Sequence, residues 1–292
     1  MYLRLATILT ISLLLLTSCG GGGSSGSGTP PPPGGGGGGG GPTDPVISVA
    51  EAHRFLRQAS FGPTPTEVEK VRDIGFEAWI DQQLLEPVSL QLPYMDDLPE
   101  PENSREGQTN RLDAWFQNVL NGKDQLRQRV AFALSEIIVI SDQGNLFNFP
   151  NGLADYYDKL AINAFANYPD LLKTVTLTPA MGRYLSMLGN QKPDKAKNIR
   201  PDENYAREVM QLFSIGLVML NKDGSVVLDQ DNQPIPTYDQ AVIEAFAHVF
   251  TGWTFYGSEA FNRPSYIFRA PMVAFQAYHD EGEKRLLNDV IL

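Results

Sequence analysis

Five polar side chains between residues 203 and 211 fall on one face of a predicted helix. They recur at spacings of three, four and seven residues, the periodicity of one side of an α-helix. The set comprises Glu203, Asn204, Arg207, Glu208 and Gln211. Two carboxylates beside an arginine could bind a metal ion, or one carboxylate could act as a general base. Glu203, Arg207 and Glu208 are therefore candidate catalytic residues, although an acid four residues before a base also simply stabilises a helix.

A second polar block, residues 279 to 283, gathers one imidazole and three carboxylates around a glycine. His279, Asp280 and Glu283 are candidate ligands for a zinc, manganese or iron ion, a divalent transition metal being the one cofactor that the sequence suggests. The alternative is a solvated acidic turn in which His279 caps a helix or pairs with Asp280. His248 lies one helical turn after Glu244, a spacing typical of a paired histidine at a surface or an interface.

Several catalytic motifs are missing from the sequence. It contains no Gly-x-Ser-x-Gly and no His-Glu-x-x-His, the signatures of serine hydrolases and zinc proteases. Cys19 is the one cysteine, which leaves the rest of the chain without a thiol nucleophile, a thiolate metal site or a disulfide. Asp229 and Asp231 begin like a calcium loop, but Pro234 stands where that loop needs glycine.

The elements that must position these residues are mainly helical. Thr64 to Glu67 forms a capping box with proline at the first helical position, and Gly75 ends that helix. Further helices are predicted over 76–85, 112–120, 125–140, 155–165, 169–177, 179–188, 203–211 and 239–250. In the helix from Gln125, the inward side chains are expected to be Leu126, Val130, Ala133, Leu134 and Ile137. Residues 93–107 are rich in proline and acid and read as a surface loop.

One stretch is predicted to be extended. The apolar runs 217–220 and 225–228 flank an Asp-Gly turn, which favours a short β-hairpin over about 217–228, with a plain loop as the alternative. No internal repeat of fixed period is expected. The predicted fold class is thus mainly α: a multi-helix globular domain with one short β-hairpin.

Composition sets limits on the partners. The 292-residue chain carries a net charge of −11, with lysine and arginine scattered through it. Nucleic acid is an unlikely partner because phosphate binding depends on a basic patch. Residues 46–292 are even in composition and long enough for one sizeable core.

The first 45 residues resemble the start of a bacterial lipoprotein. Residues 1–18 carry one positive charge and an apolar run that is too short to cross a hydrocarbon layer of roughly 30 Å, as in a removable signal peptide. The resemblance makes Cys19 the site of lipid attachment, and Gly20 after it indicates the outer membrane. Residues 19–45 are almost entirely Gly, Ser and Pro, which predicts a disordered tether. The protein is expected to be exported and lipid-anchored to the cell envelope.

Five sequence blocks together resemble the bacterial family catalogued as domain of unknown function 1800. They are residues 55–64, 126–130, 203–208, 250–253 and 279–284. The resemblance implies a largely helical, exported protein and no particular activity. Many members carry histidines near the positions of Thr178 and Phe213 and within 132–135, and their absence here lowers the expectation of a metal site. Members usually continue beyond the last block, so the chain is expected to be truncated at its C-terminus.

Two functions are consistent with these features. The first is binding or assembly at the membrane surface, with an envelope protein or polysaccharide as partner. The second is a metal-assisted hydrolase acting on an envelope or polysaccharide substrate through Glu203, Glu208 and His279. If the 203–211 helix and the 279–283 block converge in one pocket, the enzyme is favoured.

Overall fold

Short polar residues and prolines set the starts of most helices in the computed structural model, which describes residues 46–292. Ser48, Thr64, Asn103, Asn167 and Asp239 each accept a hydrogen bond from a backbone N–H in the first helical turn. Eleven helices occur in this described part: α1 Val49–Ala59, α2 Pro65–Ile74, α3 Phe76–Leu85, α4 Gln91–Asp96, α5 Ser104–Asn121, α6 Gln125–Ile137, α7 Pro150–Ile162, α8 Tyr168–Thr176, α9 Pro179–Tyr184, α10 Asn204–Gln211 and α11 Gln240–Val249. The predicted signal peptide, Cys19 and the tether lie outside the described residues.

The largest hydrophobic core surrounds α7, whose Leu153, Tyr156 and Leu160 are fully buried. Helices α4, α5, α6, α8 and α9 all contact α7. A smaller core holds α1, α2 and α3 together around Leu56 and Trp79. A third core joins α10 to α11 through Met210 and Ile243. The polar blocks of the sequence lie around this third core.

The mainly helical fold class is confirmed, but some boundaries and faces differ from the prediction. The predicted loop 93–107 was wrong at both ends, since α4 includes Pro93 and α5 begins at Ser104. Helix α6 ends at Ile137, and its buried residues are Gln128 and Ala131, whereas Ala133 and Ile137 are exposed. Gln128 is buried because its amide donates to Ser89 O and to Asp124. A polar network therefore determines the inward face of α6.

The one regular sheet of the described residues is not the predicted hairpin. Strands β1 Trp253–Thr254 and β2 Val273–Ala274 pair antiparallel, with Trp253 opposite Ala274. The two segments of the predicted hairpin do pair antiparallel, through a bridge between Leu220 and Val226, but they form no regular strands. A third extended segment follows, with bridges from Leu228 to Pro234 and from Val218 to Pro236. We call residues 217–237 the arm. Its segments pair too briefly to form regular strands.

None of the described helices is both long and apolar enough to cross a membrane.

Candidate functional site

Glu203 lies immediately before α10 and is held by two neighbours. Its Oε2 accepts a hydrogen bond from Arg207 Nη2 at 2.9 Å and another from Gln240 Nε2 at 3.0 Å. The ion pair with Arg207 is the helix-stabilising pair expected from the sequence. Gln240 opens α11, so the same contacts fasten the start of α10 to the start of α11.

Glu208 faces a different environment from Glu203. Its Oε2 is buried and has no hydrogen-bond partner among residues 46–292. The hydroxyl of Tyr238, the residue that follows the arm, is likewise buried without a partner among the described residues. Glu208 lines neither of the cavities that Glu203 and His248 line, so the predicted catalytic set Glu203, Arg207 and Glu208 divides between two environments.

The block 279–284 is anchored to the end of α11 by Thr251. The Thr251 hydroxyl donates to His248 O at 2.7 Å and accepts from the Asp280 N–H at 2.9 Å. The Thr251 carbonyl lies 2.9 Å from His279 Nδ1. The buried Lys284 donates from Nζ to the carbonyls of Asp280 and Gly282, both at 2.6 Å. His279 and Lys284 therefore hold the turn in shape.

Asp280 pairs with His248 of α11 and not with the neighbouring His279. The distance between His248 Nδ1 and Asp280 Oδ2 is 2.5 Å, and the two side chains are 33% and 18% exposed. Burial acts to raise the pKa of Asp280, but the hydrogen bonds from His248 and Gly282 and the charges of His248 and Lys284 together lower it. Asp280 is therefore an anion at neutral pH, suited to orienting an imidazole and stabilising its protonated form.

His248 and Glu244 line two adjoining cavities, which we call the cleft. One, of about 570 Å³, is also lined by Asp280 and Glu283. The other, of about 260 Å³, is also lined by Arg200 and Glu203. Glu203 from the first polar block and Asp280 and Glu283 from the second thus line two different cavities that share Glu244 and His248, and Glu208 and His279 line neither.

The three family-like sequence blocks beyond residue 200, which are 203–208, 250–253 and 279–284, all contribute residues to the cleft or to its support. The family model described as "Protein of unknown function (DUF1800)" matches residues 54–291. The chain belongs to this family. No curated protein and no solved structure matches the chain significantly. In this member of the DUF1800 family, the block 250–253 and the block 279–284 pack directly on each other, because Thr251 is hydrogen-bonded to both His279 and Asp280.

The candidate metal ligands do not form a three-ligand set. Within residues 46–292, no three His, Cys, Asp or Glu side chains lie close enough together to hold a metal ion. His279 is directed to Thr251, Asp280 is directed to His248, and Glu283 is exposed. Neighbouring residues of a turn point to different sides, which is why their closeness in sequence does not make them a site.

The sequence did not reveal the pairing of His248 with Asp280. The two residues are 32 positions apart, and His248 carries no motif of its own. Its spacing from Glu244 was the available signal, since it places both side chains on one face of α11. The exposed Arg200, which borders the cleft, was not singled out either.

Aromatic residues after α11 are mostly core. Phe255 and Phe261 are buried, while Tyr256 and Tyr266 are 55% and 53% exposed. Tyr266 stacks on Phe149 with ring centroids 6.0 Å apart, at the edge of a separate cavity of about 360 Å³. These rings are not part of the cleft.

Proposed function

We propose that this protein is an exported envelope lipoprotein whose cleft hydrolyses an ester carried by an envelope polysaccharide. The observation that carries the hydrolase is the position of His248, which borders both cavities while Asp280 holds its Nδ1. The other ring nitrogen of His248, Nε2, has no hydrogen-bond partner among the described residues. It is therefore free to exchange a proton with a molecule in the cleft.

In this proposal His248 acts as a general base. Nε2 accepts a proton from a water molecule while the water oxygen bonds to the ester carbonyl carbon. The bond from that carbon to the alcohol oxygen then breaks, and the proton on Nε2 passes to the leaving alcohol. One ester and one water give one acid and one alcohol. Asp280 stabilises the transient imidazolium and fixes which nitrogen carries the reacting proton.

The residues predicted from sequence have supporting roles in this scheme. Glu203 and Arg207 form the ion pair at the start of α10, which positions one wall of the cleft. The metal-assisted version, with Glu203, Glu208 and His279 as the acting groups, stays a prediction. Elemental analysis of the purified protein tests it: a stoichiometric transition metal that is lost on Glu208→Ala or His279→Ala would support it.

The direct test of the cleft is acetate release from an O-acetylated polysaccharide. His248→Gln is expected to lower the rate by about 10²- to 10⁴-fold, the usual contribution of a general base. His53→Gln, at an exposed histidine of α1, is the matched control and should keep the full rate. Urea denaturation should show both variants folded. Equal rates in the two variants, or no release by the wild-type protein, would show that the cleft is not this hydrolase.

The binding or assembly function is supported by a different feature, the arm. Leu217, Leu220 and Leu228 on it are 56%, 59% and 49% exposed. Several apolar side chains grouped on one exposed projection are typical of a surface that contacts another molecule. A lipid-anchored domain that presents this arm from the membrane would serve assembly at the cell envelope. A catalytically inactive but folded wild-type protein would make this the function to pursue.

A further inference from the structure

The loop between α9 and α10 is an exception to the scattered distribution of lysine and arginine, and it has the opposite charge to the rest of the molecule. Between residues 192 and 200 it carries Lys192, Lys195, Lys197 and Arg200 against one carboxylate, Asp194, in a chain of net charge −11. All four cationic residues are exposed. We call residues 192–200 the basic loop.

Most of the positive charge of this loop is unneutralised. Lys197 pairs with Asp194 at 3.0 Å. Lys192, Lys195 and Arg200 form no ion pair with any residue of the described part of the chain. Three unpaired cations within nine residues form a local positive field.

The backbone of the basic loop is held in place. Asp194 and Ile199 form an antiparallel bridge with hydrogen bonds of 3.1 and 2.9 Å. Asp194 Oδ1 accepts from the Ala196 N–H at 3.0 Å. The Lys192 N–H donates to Tyr278 O at 2.9 Å, which ties the loop to the residue just before His279. The unpaired cations therefore project from a fixed frame next to the cleft.

The loop forms one rim of the cleft. Pro193 and Arg200 line the same 260 Å³ cavity as His248 and Glu244. On the opposite side, Asp239 caps α11 and Asp289 pairs with Arg285, so their charges are already satisfied. Glu244 and Glu283 have no cationic partner in the described residues. Unpaired positive charge thus lies on the rim, and unpaired negative charge lies beside His248.

We propose that the basic loop binds the carboxylate groups of an acidic polysaccharide and presents a neighbouring ester to His248. The hydrolysis of the bound ester rests on the proposed function. The binding of the polysaccharide to the basic loop does not depend on it. A thin chain bearing charges at intervals can follow the loop into a narrow cavity. A flat anionic membrane would instead meet the whole acidic surface, and like charges repel.

The test measures binding of polygalacturonate, with neutral dextran of equal length as the comparison. Lys192→Glu with Lys195→Glu reverses two rim charges and leaves the residues assigned to catalysis unchanged. We expect the double variant to bind polygalacturonate roughly tenfold more weakly at low salt, with the difference shrinking as salt screens the charges. Lys123→Glu with Lys173→Glu, two exposed lysines outside both the cleft lining and the arm, is the matched control and should bind like the wild-type protein.

The other outcomes of the test distinguish failure of polysaccharide binding from failure of the hydrolase proposal. Equal loss in both double variants, or equal binding of dextran, would overturn the inference because the effect would be general electrostatics. Tighter binding to phosphatidylglycerol vesicles or to DNA than to polygalacturonate would overturn the choice of a polysaccharide. His248→Gln should bind polygalacturonate like the wild-type protein. If loop-dependent binding persists while acetate release proves independent of His248, only the hydrolase proposal fails.

Discussion

At the level of single residues, few of the chemistry-bearing side chains of this protein are free to do chemistry. His279 and Lys284 bond to backbone carbonyls, and Glu203 is shared between Arg207 and Gln240. What remains is a histidine whose partner comes from a distant loop. The sequence predicted the acidic block and left two structural alternatives for His279, capping a helix or pairing with Asp280. The second is wrong, because the order of residue types does not show which way each side chain points.

Asp158 is a buried carboxyl group outside the cleft. It is 4% exposed on α7 and accepts hydrogen bonds from the N–H groups of Gln91 and Leu92 at 2.7 and 3.0 Å. These contacts cap α4 from a position 66 residues or more along the chain. Burial raises the pKa of Asp158 from 3.8 to about 6, against the lowering effect of the two N–H groups.

This raised pKa predicts a loss of stability as the pH rises. The folded protein holds the Asp158 proton more tightly than the unfolded chain, so the stabilisation is fully present below pH 3.8 and is lost as the pH rises through about 6. Asp158→Asn cannot ionise, and the free energy of unfolding of the wild-type protein relative to this variant should fall by up to about 3 kcal/mol between pH 4 and pH 7. Urea denaturation at several pH values measures it.

Asp113→Asn, at an exposed carboxylate of α5, is the control for that series. It should keep the pH dependence of the wild-type protein. Parallel stability curves for the wild-type protein and Asp158→Asn would show that Asp158 is not protonated in the folded state over this range.

At the level of elements, local start signals predicted α2 and α11. The same kind of signal was missed for α1, which has a capping box at Ser48 and Glu51, and α5 was predicted to begin at residue 112 instead of Ser104. Thr64 with Pro65 and Asp239 lie next to the turns that they cap, and α2 and α11 begin where expected. Helix α4 was missed because its capping carboxylate, Asp158, comes from α7. The cleft was only partly predicted for the same reason. The sequence indicates α10 and the acidic block separately, whereas their arrangement around His248 depends on the packing of α11.

The arm contains a short internal repeat, although no repeat of fixed period was expected from the sequence. Residues 219–226 and 227–234 form an eight-residue repeat whose turns match, with Gly224 and Asn232 at equivalent positions and φ angles of 83° and 58°. Met219, Val227 and Ile235 lie eight residues apart. Val227 N donates to Met219 O, Ile235 N donates to Val227 O, and Met219 N donates to Ile235 O, at 2.9 to 3.1 Å. Each extended segment thus pairs with both others, so a simple two-strand hairpin was an incomplete prediction.

Gly252 is the glycine on which the packing of the acidic block depends most. Its φ is 84°, and a Cβ there would lie 2.9 Å from His279 N and 3.0 Å from His279 Cα. Gly252→Ala should therefore suffer both backbone strain and collision with a backbone that is tied to Thr251. Gly144, with a φ of 72° and no atom within 4 Å of its would-be Cβ, isolates the strain alone.

We expect Gly144→Ala to lower the free energy of unfolding by roughly 1–2 kcal/mol, the cost of left-handed backbone for a residue with a Cβ. Gly252→Ala should cost about 1–3 kcal/mol more, because overpacking adds to that strain. Chemical denaturation of the two variants measures the difference. Equal losses would mean that the block 279–284 moves away from Gly252 without penalty.

At the level of the whole molecule, the position of the cleft and the charge of the surface connect to where the protein works. Residues 46–292 hold three hydrophobic cores, and the cleft lies beside the one formed by α10 and α11. A domain presented to envelope polymers from a lipid anchor would have its substrate or partner within reach. Both proposed functions therefore require the proposed location at the membrane, which rests on lipid attachment at Cys19.

Cys19→Ser tests that location in the native host. A thioether-linked lipid needs the thiol, so the variant should lose incorporation of labelled palmitate and move from the membrane fraction to the soluble periplasmic fraction. One acyl chain gives only weak, reversible membrane binding, whereas several chains on one cysteine give stable anchoring. Cys19 is the one cysteine within these 292 residues, so label lost in Cys19→Ser was carried by this residue. Ser18→Ala, which retains the thiol and a small residue, is the control and should remain in the membrane fraction. Continued membrane association of Cys19→Ser without palmitate would contradict the lipid anchor and point instead to attachment through a partner in the envelope.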